Sequence, residues 1–282
     1  MKRFVHVFAI LACLLPACAS AQRQIEVPRA DGATTPLVVY DPRDVRGCAP
    51  LALLSHGAGG SAEHGLAYLG EALARDGWRA LAMGHRESGM APLRQDMRSA
   101  GIKQGLSDLV TDTAAYRSRY LDIDAALKWA DQQCRAPYKA LIGHSMGAIT
   151  VMFVAGAQNK IDVPAKGGFN AYVALSPEGP GRVFPADAWR TIRAPMLLIT
   201  GTRDAGLDGE YAWRTRAFDG LPAGCHALAI LDGASHMNLG GLDLGNRFKT
   251  KTAALVTSYL DGVRGGGCPH LPAEPGVELR SK

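Results

Sequence analysis

The stretch Tyr138-Lys-Ala-Leu-Ile-Gly143-His144-Ser145-Met146-Gly147-Ala-Ile-Thr-Val-Met-Phe-Val-Ala-Gly-Ala-Gln158 organises the chain. It opens with a short apolar run over 140–142, whose length and flanks suit a buried strand. It closes with an apolar, alanine-rich segment over 148–157, long enough for a buried helix. Between them Gly143-His144-Ser145-Met146-Gly147 fits Gly-x-Ser-x-Gly. Alone the pattern says little, because glycine and serine are common in loops. Set between a strand and a helix it describes a nucleophile elbow. The turn must force Ser145 into a strained backbone conformation, and Gly143 and Gly147 remove the side chains that would clash there. Ser145 Oγ then stands at a helix N-terminus, where free N–H groups and the dipole favour developing negative charge.

Composition sets the frame. The chain has 282 residues, 47% of them hydrophobic, which describes a globular protein with one large domain. Its N-terminus reads differently. Lys2 and Arg3 precede an apolar run over 4–15, and Ala19-Ser20-Ala21 follows with the small-x-small pattern of a signal-peptidase site. Residues 1–21 are therefore read as a cleaved export signal, the run being too short to anchor in a bilayer. Leu15-Pro16-Ala17-Cys18 resembles a lipobox, which would lipidate Cys18, but Pro16 fits that pattern poorly. Loss of Lys2 and Arg3 takes the formal charge from +5 to +3. A small positive balance without a basic run gives no reason to expect a nucleic-acid partner. Four cysteines remain after residue 21, namely Cys48, Cys134, Cys225 and Cys268. In an exported chain they suggest two disulfides, with three possible pairings.

Along the chain, strands are expected at 24–28 and 37–40, joined through the turn Asp31-Gly32. Further strands fall at 51–54, 78–83, 140–142, 171–175, 195–200 and 226–231. Helices fall at 66–76, 116–133, 148–157 and 248–263, with a helical turn at 189–193. The helix over 116–133 carries Tyr120, Ile123, Leu127 and Ala130 on one face. The polar, glycine-punctuated stretch 84–104 shows no long periodic element. Residues 22–264 form one domain, and 265–282 are a Gly/Pro-rich tail. Strands alternating with helices argue for an α/β fold with a mostly parallel sheet of about eight strands, covered on both faces. Ligands then collect at the C-terminal strand ends. Four such ends carry chemistry: His56-Gly57, Ser145, Asp204 and His236.

The order Ser145, Asp204, His236 is the order nucleophile, acid, base, and with it the chain resembles the α/β-hydrolase superfamily over nearly all of residues 22–264. Ser55-His-Gly-Ala-Gly59 and Gly143-His-Ser-Met-Gly147 are similar to motifs of the platelet-activating-factor acetylhydrolase, chlorophyllase and dienelactone-hydrolase-like groups. Dienelactone hydrolases proper use cysteine, so Ser145 argues against their chemistry. The resemblance implies Ser145 as nucleophile, His236 as base and Asp204 as orienting acid. Asp208, four residues on, is the near alternative acid, and Glu178 occupies the position some relatives use. Among the other histidines, His6 leaves with the signal, His226 opens a strand at the wrong sheet edge, and His270 lies in the tail. His144 packs beside the elbow and His56 belongs to the oxyanion loop, while His64 and His85 remain open as rim residues. The oxyanion hole is expected from the backbone N–H groups of Met146 and Ala58, with Gly59 able to replace Ala58. Met90, Met97 and Tyr68 are candidate pocket residues, with core packing as their ordinary role. Arg86 and Glu87 could touch substrate or pair with each other.

The superfamily's strand order makes the strands beginning near Leu51 and Lys139 neighbours, which favours Cys48–Cys134 and leaves Cys225–Cys268. The short segments after 176 and 204 leave no room for a large cap domain. No HExxH, Cys-x-x-Cys or clustered carboxylate motif suggests a metal, no Gly-rich phosphate or dinucleotide loop is present, and the implied chemistry needs no cofactor. The expectation is an exported, secreted or periplasmic serine hydrolase acting on small-molecule or lipid-like esters. A lipase or a peptidase or amidase with the same triad is the alternative, and a non-catalytic envelope binding protein is the remote one.

Overall fold

Nine strands form a single sheet in the order β1-β2-β4-β3-β5-β6-β7-β8-β9. The computed structural model describes residues 22–43 and 45–282, so the readings made on the signal segment and Cys18 lie outside the described residues. The strands are β1 (Gln22–Pro28), β2 (Thr34–Tyr40), β3 (Leu51–Ser55), β4 (Arg79–Met83), β5 (Lys139–His144), β6 (Ala171–Leu175), β7 (Met196–Arg203), β8 (His226–Ser235) and β9 (Val277–Ser281). The six strands from β3 to β8 run parallel to one another, while β1, β2 and β9 supply antiparallel edges. The helices are α1 (Ala67–Arg75), α2 (Met90–Ala100), α3 (Ile102–Thr111), α4 (Thr113–Gln133), α5 (Met146–Ala155), α6 (Tyr211–Asp219), α7 (His236–Leu239) and α8 (Arg247–Arg264).

Alternation along the strands divides the core in two. Leu37, Val39, Leu51 and Leu53 face the cluster that α4 and α5 cover. Val38, Tyr40, Ala52 and Leu54 face the cluster that α1 and α8 cover. Helix α5 is buried at nine of its residues, from Met146 to Val154, which accounts for its being apolar all round.

Helices α2, α3, α6 and the short α7, and a ninth strand, are not among the elements expected from the sequence. Residues 84–104 are not structureless: a short 3-10 turn (Arg86–Ser88) leads into α2, which pairs with α3. Helix α2 buries none of its residues fully; Met90, Leu93 and Met97 share one face, of which Leu93 packs against the core, and the polar residues between them thin the pattern. The Gly/Pro-rich tail holds a ninth strand, β9, along the edge of β8. Its outward residues are polar and exposed, as befits a charged sheet edge. Cys48 is joined to Cys134 and Cys225 to Cys268. Because β3 and β5 are adjacent and in register from Leu51 and Lys139, the first bond lies at the N-terminal edge of the sheet. Among the described residues no helix is long and apolar enough to cross a membrane.

Candidate active site

The turn between β5 and α5 is as tight as its motif requires. Ser145 caps α5 with φ 56° and ψ −120°, a conformation that L side chains rarely adopt. A Cβ on Gly143 would lie 2.2 Å from the Gly147 carbonyl oxygen, and one on Gly147 would lie 2.0 Å from the Ser55 carbonyl oxygen. Both contacts are with backbone, so neither position admits a larger residue without moving a strand end. The Ser145 N–H donates to the Leu175 carbonyl at 3.0 Å, which ties the elbow to β6.

His236 opens α7 directly after β8, behind the Ser235 capping box, and lines the same cavity as Ser145. Its Nδ1–H donates to Asp204 Oδ1 at 2.8 Å. Asp204 is fully buried beyond the end of β7, and its Oδ2 accepts from Thr200 Oγ1 at 3.0 Å. Burial alone would raise this carboxyl, but the His236 hydrogen bond and the Arg214 charge carry it below its ordinary value. The alternative acids lie elsewhere. Asp208 pairs with Arg182 at 2.8 Å. Glu178 is buried with Oε1 unpartnered, and burial pushes it up to about 7.

The loop expected to supply an oxyanion donor follows β3. The turn Gly57-Ala58 runs beside Ser145, close enough that a Cβ on Gly57 would lie 3.1 Å from Ser145 Cβ. The Gly59 N–H already donates to the Ser88 carbonyl at 2.9 Å, which leaves it no free donor. The Ala58 N–H has no partner among the described residues, and Met146 opens α5, where N–H groups have no intrahelical acceptor. Ala58 and Met146 are thus the free donors flanking the serine.

His56, His85 and His144 are held by their bonds, whereas His226, buried at the start of β8, has no partner among the described residues for either ring nitrogen. His56 Nδ1–H donates to Gly57 O at 2.6 Å while its Nε2 accepts from His85 N–H at 2.9 Å. His85 donates from Nδ1 to Asp122 at 2.8 Å and accepts from Ser55 Oγ at 2.9 Å. Burial holds both rings well below their ordinary value, so both stay neutral. His144 packs at a ring-centre distance of 4.7 Å from His236 and donates to its carbonyl at 3.0 Å. Burial first, and then its neighbour His236, push His144 down to about 3. His64 lines the cavity, as left open by the sequence.

The cavity measures about 280 Å³ and its walls are mainly apolar. Met90, Met237 and Leu242 line it and are also among the large apolar side chains left exposed. Met97 does not line it, and Tyr68 lies instead in a groove between α1 and α8, its hydroxyl donating to the Leu239 carbonyl at 3.0 Å. Arg86 and Glu87 do not pair with each other: Arg86 meets Glu26 at 2.7 Å and Glu87 meets Arg29 at 2.8 Å. Among the described residues no cluster of histidine, cysteine or carboxylate side chains could hold a metal.

The sequence matches no family model and no curated protein. Solved structures match over most of the chain. A dienelactone hydrolase from Anabaena variabilis is 18% identical, with 86% of this chain and 98% of that one covered at a TM-score of 0.54. The esterase domain of a Rhodothermus marinus protein is also 18% identical, covering 85% and 97% at a TM-score of 0.56. A cold-adapted esterase from an Arctic intertidal metagenomic library is 15% identical, covering 89% and 98% at a TM-score of 0.58. The chain has the α/β-hydrolase fold. In the α/β-hydrolase order of elements, Ser145, Asp204 and His236 all sit at C-terminal strand ends, on one edge of the sheet.

Two buried arginines escaped the sequence reading. Arg119 on α4 is fully buried behind the loop that follows β3. It donates to the His56 carbonyl at 2.8 Å, to Ser55 Oγ at 3.1 Å and to Ser88 Oγ at 2.9 Å. Burial lowers it to about 10, which leaves it charged at neutral pH. Arg214 on α6 lies against Asp204. The only sequence signal for either is an arginine placed beside apolar residues on a helix, which ordinarily reads as a solvated face.

Proposed function

We propose that the chain is an exported serine hydrolase that cleaves carboxylic esters with apolar acyl groups. One observation carries the reading. Ser145 is held in a strained turn at the N-terminus of a buried helix, in one cavity with His236, whose Nδ1–H donates to buried Asp204. A serine hydroxyl is a weak nucleophile until a base takes its proton. On this reading His236 Nε2 takes the Ser145 proton as Oγ attacks the acyl carbonyl. Asp204 holds the ring so that Nε2 is the free nitrogen and offsets the positive charge the ring acquires. The oxyanion forms beside the N–H groups of Ala58 and Met146, which need not reorganise to receive it. His236 then protonates the leaving alcohol, and water resolves the acyl-enzyme by the same steps.

The apolar cavity supports an apolar acyl or alcohol group, and the exposed Met90, Met237 and Leu242 extend that surface outward. Export is supported by the two disulfides, bonds that persist in oxidising compartments, and by the signal-like composition of residues 1–21. The test uses protein beginning at Gln22 on p-nitrophenyl esters of increasing acyl length, beside a p-nitroanilide and a fluorophosphonate probe. The expected result is ester turnover and covalent labelling, both abolished in Ser145→Ala. Turnover of the anilide alone would favour a peptidase or amidase. Silence on every substrate, without labelling, would leave a binding protein.

A further inference from the structure

The guanidinium of Arg214 joins more of this site than any other side chain. It comes from α6 and is 3% exposed. Its Nε lies 3.0 Å from Asp204 Oδ1 and donates to the Asp204 carbonyl at 2.9 Å. Nη1 donates to the carbonyls of Ser176 at 3.1 Å and Pro177 at 2.9 Å. Nη2 donates to the Ala205 carbonyl at 3.2 Å and lies 3.2 Å from His236 Nδ1. One rigid fork with five N–H donors therefore holds the backbone beyond β6 and the backbone beyond β7 in fixed relation. It also shares Asp204 Oδ1 with the imidazole of His236.

We propose that Arg214 is a positioning residue of the active site: it clamps the β6 and β7 strand ends together and sets how much of the Asp204 charge reaches His236. The proposal rests on the reading of His236 as the base. A carboxylate bound only to the imidazole would place its whole charge on that ring. With a permanent cation on the same oxygen, the ring keeps its orientation while the attraction is divided. The other groups facing His236 are His144, which stays neutral, and His64 across the cavity. Glu178 approaches the cluster from the β6 end, 3.9 Å from Arg214 Nη1. Arg214 is therefore the permanent cation against the Asp204–His236 pair.

The test compares Arg214→Gln and Arg214→Lys with the parent in a Ser145→Ala background, following the His236 imidazole by NMR across pH. Turnover is measured in parallel with Ser145 intact. Arg214→Gln removes the charge, so the His236 midpoint is expected to rise by about one pH unit or more. The acid limb of kcat/KM should move to higher pH by the same amount. Arg214→Lys keeps the charge but cannot span the carbonyls. Its midpoint should stay in place, while the downfield Nδ1–H signal is lost and kcat falls about tenfold or more with KM unchanged. A purely structural arginine would lower activity without moving the titration, so an unmoved midpoint in Arg214→Gln overturns the proposal. Should that variant not fold, Arg214→Lys decides: a retained Nδ1–H signal overturns the clamp and its loss sustains it. Absence of ester turnover would defeat the esterase reading alone, because the NMR comparison needs no substrate.

Discussion

Substituting Gly147 by alanine tests the elbow with one methyl group. The added Cβ would sit 2.0 Å from Ser55 O and 2.9 Å from His56 O. Carbon and a carbonyl oxygen approach no closer than about 3.3 Å, so the start of α5 and the end of β3 must separate by roughly 1.3 Å. Neither partner can rotate away, since both oxygens belong to the backbone. Ser145 moves with α5, while Ala58 moves with the segment that follows β3. Ser145 and the Ala58 N–H, the donor proposed for the oxyanion, would therefore part by about an ångström. A displacement of that size costs about 10²-fold in rate, and overpacking costs about 1–3 kcal/mol in stability. In a chain of this length that lowers the melting temperature by about 2–10 °C. The assay is kcat on a short p-nitrophenyl ester together with a thermal melt. Gly245→Ala is the control, because a Cβ there meets nothing within 4 Å. A Gly147→Ala protein with kcat within twofold of the parent and an unchanged melt would refute the steric account of the elbow.

Three further outcomes follow from the site and its supports. Asp204→Asn keeps the shape of the side chain but removes the carboxylate that fixes the His236 tautomer, so kcat should fall about 10³–10⁴-fold with the fold intact; a loss under tenfold would assign the orienting role elsewhere. Glu178→Gln should stabilise the protein above neutrality. A carboxyl raised from 4.5 to about 7 destabilises the fold progressively as pH climbs from the unfolded to the folded value, reaching roughly 3 kcal/mol at pH 8 and nothing below pH 4. Melts of parent and variant should coincide in acid and diverge in base, and parallel curves would contradict the burial argument. Replacing Cys48 and Cys134 together by serine opens a crosslink spanning 86 residues, at a cost of about 4 kcal/mol and about 10 °C in melting temperature. Since that bond lies at the sheet edge opposite Ser145, kcat at 25 °C should hold, and a large kcat loss in folded protein would show coupling across the sheet.

Much of the fold was legible because its signals are local. The parallel strands are short apolar runs, and β6 matches its expected span at 171–175. The C-terminal strand ends carried their residues in chain order, which is how Ser145, Asp204 and His236 could be named without coordinates. What failed lacked a local signature. Helix α2 has only a thin apolar face of Met90, Leu93 and Met97, none of it fully buried, and it leans on α3 as well as on the core through Leu93. Strand β9 is five residues with no continuous apolar run, and only its pairing with β8 makes it a strand. The choice of Ala58 over Gly59 came from resemblance alone, because the bond that occupies the Gly59 N–H has no local signature. That bond runs from Gly59 to Ser88, twenty-nine positions away in sequence.

The buried charges are a deeper case of the same limit. Arg119 and Asp122 lie on α4 next to Tyr116, Tyr120 and Ile123, and all five are buried. Periodicity assigns the tyrosines and the isoleucine to the core and would send the charges to solvent. Burying them is unfavourable unless each finds partners, and Arg119 finds them at the end of β3 while Asp122 finds them among polar side chains around it. Arg119 reaches the His56 carbonyl and Ser55, and Asp122 takes His85, Thr35 Oγ1 at 2.6 Å and Arg29 at 3.1 Å. Arg214 does the same for the backbone around Asp204. Loops at the open edge of a sheet have few apolar contacts to fix them, and a guanidinium supplies several directed bonds from one side chain. An arginine that is unexpectedly buried on a helix behind such a loop therefore points to the backbone it holds, and through it to the atoms that must not move.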